Sequence, residues 1–285
     1  MPVALSYLDL GESQSVARIL LSNSTTLNGR EMLTTYGIPE VAELCRKFDL
    51  SGLEVTFKRF ATRRGIDRIR GNVPIIGGHF PWEWDITWRA IVGWNRKAGL
   101  KANLKGKCAF LSQAETQKAL RIGSELDPQP EYYVIHPDAF ANTRFIPWRR
   151  LRKIRGLCFE NNWPKQGYEG VSTASSFALA SHASVVLDTC HLGLVPRDAA
   201  NLWQAYQAVR KLVKVVHLSD FDSSTGQEHL IPGRGNLGLE SFIQRIAADG
   251  YNGLYVLEVR HPGVEPRQAI EESLKFLERC SIYPG

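Results

Sequence analysis

Short runs rich in β-branched and aromatic residues recur along the chain, with amphipathic stretches of helical period between them. The runs predict strands at 18–23, 52–57, 73–79, 131–136, 156–161, 184–189, 214–219 and 253–259. The helical patterns fall near 38–48, 85–98, 112–126, 198–212, 239–249 and 265–279. The last of these sets Ala269, Leu274, Phe276 and Leu277 among charged residues, the pattern of an amphipathic outer helix. Strands alternating with helices imply βαβ units and a parallel sheet. Eight such strands predict a single (β/α)8 TIM barrel over about 18–280, preceded by an extra N-terminal segment, 1–17, within one domain of 1–285. An open doubly wound sheet is the alternative. Its G-x-G-x-x-G signature is absent after the first strand, and Gly233-Arg234-Gly235 lacks the third glycine.

The composition agrees with a folded chain of this size. There are 285 residues, 44% hydrophobic and 22% charged, which excludes collagen, coiled coil and disorder. A net charge of +6, with a pI near 9.1, permits an anionic partner but equally describes a solubilising surface excess. The five cysteines (Cys45, Cys108, Cys158, Cys190 and Cys280) are widely spaced, without C-x-x-C. That argues against a disulfide framework or thiolate zinc site and for a reducing compartment. The N-terminus lacks the basic start of a signal peptide, and no apolar run approaches a bilayer span. The expectation is a cytoplasmic protein with no membrane partner.

The positions of the polar residues are more informative. The third strand ends at His79, the fourth at His136, the fifth at Glu160, the sixth at Asp188 with His191 just beyond, the seventh at His217 and the eighth at Glu258. Each run is apolar until its last residue. Side chains alternate across a strand, so one face carries Cys158 and Glu160, Val186 and Asp188, Val215 and His217, Val256 and Glu258. If that face lines a barrel, four ligands converge at the C-terminal ends of the strands, where barrel active sites form. Singly, a strand-end histidine is a hydrogen-bonded structural residue and a strand-end aspartate a helix N-cap. Together, such groups are costly to bury unpaired, and a shared cation removes that cost.

These residues resemble the xylose isomerase-like barrel superfamily, which groups sugar isomerases and epimerases with endonuclease IV (AP endonuclease family 2). The resemblance is carried by Phe159-Glu160-Asn161, by Leu187-Asp188-Thr189-Cys190-His191, by His217-Leu218-Ser219-Asp220, by the stretch from His229 to Gly238 and by the run from Gly250 to Glu258. It implies a metal site of Glu160, Asp188, His217 and Glu258 holding a divalent cation (manganese, magnesium or zinc). Glu160 and Glu258 would then move a proton at the carbon next to a metal-chelated carbonyl. The endonuclease pattern adds His79, His136, His191 and His229 as further ligands. It also expects an aspartate where Gln227 stands, and a neutral amide substitutes poorly on zinc. Asp220, Asp222 or Glu228 could compensate; one or two ions are expected rather than three.

Trp82 and Trp163, with Phe80, Trp84 and Phe221 nearby, could stack on a sugar or a base, or simply pack loops. Arg234 and Arg260 are candidates for a phosphate or carboxylate of a substrate. The basic segments 58–70 and 144–155 could meet nucleic-acid phosphates or be solvated helix surface. The leading expectation is a metal-dependent sugar or sugar-phosphate isomerase or epimerase. The alternative is a zinc-dependent phosphodiester hydrolase acting on abasic DNA, and a barrel with another reaction, such as dehydration of a polyol, or a non-catalytic metal-binding protein is the third. The oligomeric state is not encoded in any pattern found.

Overall fold

In a computed structural model of the chain, the residues described are 17–22, 26–27, 30–31, 37–56, 68–69, 71–80, 121, 128–140, 146, 148–161 and 170–283. Eight parallel strands close into a barrel: β1 (Arg18–Ser22), β2 (Gly52–Thr56), β3 (Ile75–His79), β4 (Tyr132–Ile135), β5 (Leu157–Glu160), β6 (Ser184–Asp188), β7 (Val213–Leu218) and β8 (Leu254–Leu257). They pair in chain order, and β8 closes on β1 through Arg18↔Leu254 to Leu21↔Leu257. All eight expected strands are present, and the closed order removes the open-sheet alternative.

Both faces of such a sheet are covered, so the strands read as nearly continuous apolar runs. The outward residues Leu53, Val55, Phe159, Val185, Leu187, Val216, Tyr255 and Leu257 join the helices in the main core. There Phe159 packs against Phe140 and Phe177, with ring centroids 6.5 and 5.3 Å away. The inward residues Leu20, Tyr132, Val134, Cys158, Val186, Val215, Leu254 and Val256 form a separate cluster that plugs the barrel axis. At the N-terminal end the strands are tied together: the Arg18 guanidinium donates to both carboxylate oxygens of Glu131 at 3.0 and 2.8 Å, and Lys214 donates to the Glu131 carbonyl at 2.7 Å. A register shift between β6 and β7, where Val185 faces Val213 but Val186 faces Val215, keeps Val215 and His217 in the inward phase.

The helical expectations near 38–48, 239–249 and 265–279 correspond to Gly37–Lys47, Leu239–Ala248 and Pro266–Arg279. The expected helix 198–212 is instead two pieces, Pro196–Ala199 and Leu202–Val209. Between them Asn201 leaves helical geometry at φ −155° and caps the second piece by accepting from the Gln204 N–H at 3.0 Å. The helix Gly170–Ser181 lies outside the expected set; its Ser- and Thr-rich sequence reads as loop. The buried Asp198 carboxylate accepts from the Val171 N–H at its first turn, 3.0 Å away. The expected helix 85–98 lies outside the described residues, as does all of 112–126 except Arg121, which is helical. No helix among the described residues is long and apolar enough to cross a membrane.

Candidate metal centre

Two residues above the apolar plug the chemistry changes. Val134 is followed at that spacing by His136, Cys158 by Glu160, Val186 by Asp188, Val215 by His217 and Val256 by Glu258. These five polar residues are all buried. Alternation along each strand turns each of them to the barrel axis at the C-terminal end. Ligand atoms of Glu160, Asp188, His217 and Glu258 all lie within 4.8 Å of one another, as do those of His79, His136 and Glu160. The structure brings these six expected residues together.

The strand ends are clipped to one another by side chains the sequence reading had not singled out for this role. Asn161 accepts from the Asp188 N–H at 2.7 Å and donates to the Asp188 carbonyl at 2.9 Å, joining β5 to β6. The Thr189 hydroxyl donates to the Ser219 carbonyl at 2.6 Å and accepts from the Ser219 N–H at 3.1 Å, joining β6 to β7. Each clip satisfies buried backbone groups exactly where a strand has run out of partners, so ligand spacing is fixed before any ion binds.

Within the first group, His217 Nδ1 lies 3.2 Å from Glu160 Oε1 and 3.0 Å from Glu258 Oε2 without hydrogen-bond geometry to either. Asp188 does what a strand-end aspartate ordinarily does, with Oδ1 accepting from the His191 N–H at 2.8 Å. Its Oδ2 is buried with no hydrogen-bond partner. Two orphaned buried atoms facing two further carboxylates describe a donor set that fits a divalent cation with N and O preference. Arg260 sits at the rim and donates to Glu258 Oε1 at 2.7 Å.

In the second group Glu160 Oε2 lies 2.8 Å from His136 Nε2 and 3.2 Å from His79 Nε2. His79 Nδ1 is 2.9 Å from the Phe80 carbonyl and Nε2 is 3.2 Å from Glu160 Oε2; both partners can only accept, so the ring donates from both nitrogens. Glu160 thus presents one oxygen to each group. His191 lies beside both, with Nδ1 3.6 Å from Glu160 Oε1 and from Asp188 Oδ2. It also lies 3.0 Å from the Asn161 carbonyl.

The charges are strongly perturbed. Burial pushes the Asp188 carboxyl up to about 7; His191 opposes this, and Glu160 and Glu258 add to it. Glu160 is opposed by burial yet held well below the usual carboxylate range by His136 and His217. Burial likewise opposes the Glu258 charge, and His217 and Arg260 overcome it. His79 is pulled down by burial but raised more by Glu160, to about 9. In each case proton or cation density near the carboxylates lowers the cost of burying several negative charges together.

Other expected site residues lie elsewhere. Arg234 pairs with Glu272 of the C-terminal helix at 2.7 Å rather than with the cluster. His229 is buried against His191, ring centroids 5.6 Å apart, but its ring faces the Ser219 hydroxyl at 3.3 Å, and Gln227 is exposed. Burial and the Arg260 charge push the His229 imidazole down to about 3. The suggested substitutes for the missing aspartate are committed to turns. Asp220 accepts from the Phe221 and Gly233 N–H groups at 2.8 and 2.9 Å, and Asp222 accepts from Ser224 and Thr225. Phe80 and Phe221 are buried packing residues, Phe80 stacked on Tyr133. Trp82, Trp84 and Trp163 lie outside the described residues.

Sequence reasoning missed Glu54. It is 1% exposed, inside the barrel on β2, with Oε2 3.0 Å from His217 Nε2. The available signal was an acid in the middle of a run whose neighbours, Leu53 and Val55, face the outer core.

Comparison with known proteins agrees with this architecture. Residues 159–280 match a family model described as Xylose isomerase-like TIM barrel. A 99-residue stretch is 30% identical to 3-dehydro-D-guloside 4-epimerase of Escherichia coli (strain K12), covering 35% of this chain and 34% of that protein. The chain thus spans about a third of the length of that curated relative. The crystal structure of 3-keto-D-glucoside 4-epimerase from E. coli superposes with a TM-score of 0.62 at 17% identity, over 93% of this chain and 100% of the other. AP endonuclease family 2 from Brucella melitensis gives 0.61 at 15% identity, over 89% and 96%. Residues 159–280, which supply Glu160, Asp188, His217 and Glu258, therefore match the xylose isomerase-like TIM barrel model, and they lie within a closed eight-stranded barrel.

Proposed function

We propose that the protein is a divalent-metal-dependent isomerase or epimerase of a sugar or sugar phosphate. The observation that carries this reading is the convergence of Glu160, Asp188, His217 and Glu258 from four consecutive strands, with Glu160 Oε1 3.2 Å and Glu258 Oε2 3.0 Å from His217 Nδ1. The match to an epimerase over 99 residues supports the same class.

Those four residues would hold manganese, magnesium or zinc. When bound, such an ion polarises a carbonyl and acidifies the neighbouring C–H. The chain's own contribution is proton transfer. Glu160 and Glu258 would flank a small molecule: one, ionised, takes the proton from carbon, and the other, once protonated from solvent, returns a proton to the opposite face. Arg260 holds Glu258 Oε1 at 2.7 Å and keeps that carboxylate in its basic form and fixed orientation. Its side chain is 39% exposed and would meet an anionic or hydroxyl group of the substrate.

The hydrolase reading rests on the second group, His79, His136 and Glu160, which would accept a further ion. Against it stand Gln227, which is exposed, and the position of Arg152, Lys153 and Arg155 in the basic segment 144–155; of the segment 58–70, all but 68–69 lies outside the described residues. Arg152, Lys153 and Arg155 lead into the first residue of β5, at the opposite end of the barrel, and Arg152 donates to the Ala180 carbonyl near the end of Gly170–Ser181. A duplex at the mouth gains nothing from them.

The test is to load the protein with manganese or zinc in D2O and present ketoses, sugar phosphates, keto-glycosides and an abasic oligonucleotide. Deuterium uptake at the carbon beside the carbonyl of a sugar, abolished in Glu258→Gln, is the expected result. Strand cleavage without deuterium uptake in any sugar overturns the reading in favour of the hydrolase.

A further inference from the structure

Below the ligands, inside the barrel, lies a second carboxylate that belongs to neither ligand group. Glu54 comes from β2, on the far side of the barrel from β7. Its Oε2 meets His217 Nε2 at 3.0 Å and accepts from the Tyr132 hydroxyl at 2.9 Å. All three side chains are 0–1% exposed. Tyr132 reaches Glu54 by crossing β3 at Gly77, where any Cβ would overlap the Tyr132 ring. Three residues from three neighbouring strands thus exist, by their sizes and partners, in an arrangement that ends on the back of His217.

We infer that Glu54 is a positioning residue for the metal centre, acting through His217, with Tyr132 and Gly77 holding it in place. The geometry carries this. A carboxylate at Nε2 can only accept, so Nε2 keeps its hydrogen, and Nδ1, the nitrogen that faces Glu160 and Glu258, is the one left to ligate an ion once its own proton has gone. An imidazole whose rear N–H is held by a carboxylate is fixed in tautomer and ring angle and is a more basic ligand. The Tyr132 hydroxyl occupies the same Glu54 oxygen, which keeps that oxygen from rotating away. Glu54 itself bridges Tyr132 of the plug and His217 of the metal centre.

The inference rests on the metal-dependent reading only in that an ion binds; it is independent of which sugar, if any, is turned over. The experiment measures zinc binding calorimetrically for the wild type, Glu54→Gln and Tyr132→Phe, with ring 15N shifts of His217 and thermal unfolding of each metal-free protein. Glu54→Gln keeps the shape and an acceptor but loses the charge. It is expected to weaken zinc about 10–100-fold, with metal-free unfolding unchanged and the His217 ring moving from one tautomer to a mixture. Tyr132→Phe, which keeps the ring that fills Gly77, is expected to weaken zinc several-fold. Equal zinc affinity in wild type and Glu54→Gln overturns the inference. So does an affinity loss matched by an equal loss of metal-free stability with the tautomer unchanged, because that is a packing effect. Zinc binding that follows the expectation, without deuterium uptake by any sugar, leaves this inference standing and removes the isomerase reading.

Discussion

Replacing Asp188 by asparagine separates the two tasks of this carboxylate. Oδ1 caps the helix that begins at Thr189, and the asparagine oxygen accepts from the His191 N–H equally well. Oδ2 is buried without a partner, and it is the oxygen left for the proposed ion. Burial raises the carboxyl from an ordinary value near 3.8 to about 7. The folded protein therefore holds its proton more tightly than the unfolded chain, and ionising it costs stability. The cost is small near pH 4, grows as pH rises toward 7, and is constant above that. A difference of roughly 3 pKa units corresponds to about 4 kcal/mol at pH 8 and to under about 1 kcal/mol at pH 4. Asparagine carries no such cost. The metal-free variant should therefore unfold at higher temperature than the metal-free wild type at pH 8, by roughly 8 °C at about 2 °C per kcal/mol for a chain of this size. The gap should close toward pH 4. Zinc should reverse the order, because wild type gains binding energy that the neutral amide forgoes. The assay is thermal unfolding in chelator and in zinc at pH 4, 6 and 8. A variant no more stable than wild type at pH 8, or a gap that does not depend on pH, refutes the assignment of Asp188 as an uncompensated buried acid.

Glu160→Gln should damage both ligand groups at once, since each uses a different Glu160 oxygen; zinc titration should show both lower affinity and fewer ions bound than Glu258→Gln. Zinc affinity of the wild type should rise steeply from pH 5.5 to 8, as Asp188 and His217, whose imidazole is opposed by burial yet held protonated above the ordinary histidine range by the surrounding carboxylates, must both lose protons to ligate; a flat titration over that range would contradict this. Gly235→Ala should destabilise by about 1–3 kcal/mol by overpacking, because the added methyl meets the Phe221 carbonyl and the Asp220 carboxylate that hold the Gly233–Gly235 turn; unfolding in urea measures it.

The eight strands were legible because a barrel strand is buried on both faces and so writes itself as an apolar run ended by the residue that meets the mouth. The same rule placed Glu160, Asp188, His217 and Glu258 on one face. Gly170–Ser181 was hidden because its apolar face is made of Ala, Val and Phe among serines, and its start is fixed by Asp198, 27 residues on. Glu54 was hidden for the opposite reason. A lone acid in a strand ordinarily faces water, and only the phase of Leu53 and Val55 against the outer core reveals that it points inward. Arg234 was misread because its partner, Glu272, stands on a helix that the local sequence around the turn does not announce.

The plug of Leu20, Tyr132, Val134, Cys158, Val186, Val215, Leu254 and Val256 has a topological consequence for whatever is processed above it. The barrel is a blind well. A molecule that meets the carboxylates must lead with its reacting end and leave by backing out along its path of entry. Entry and exit share one face of the barrel.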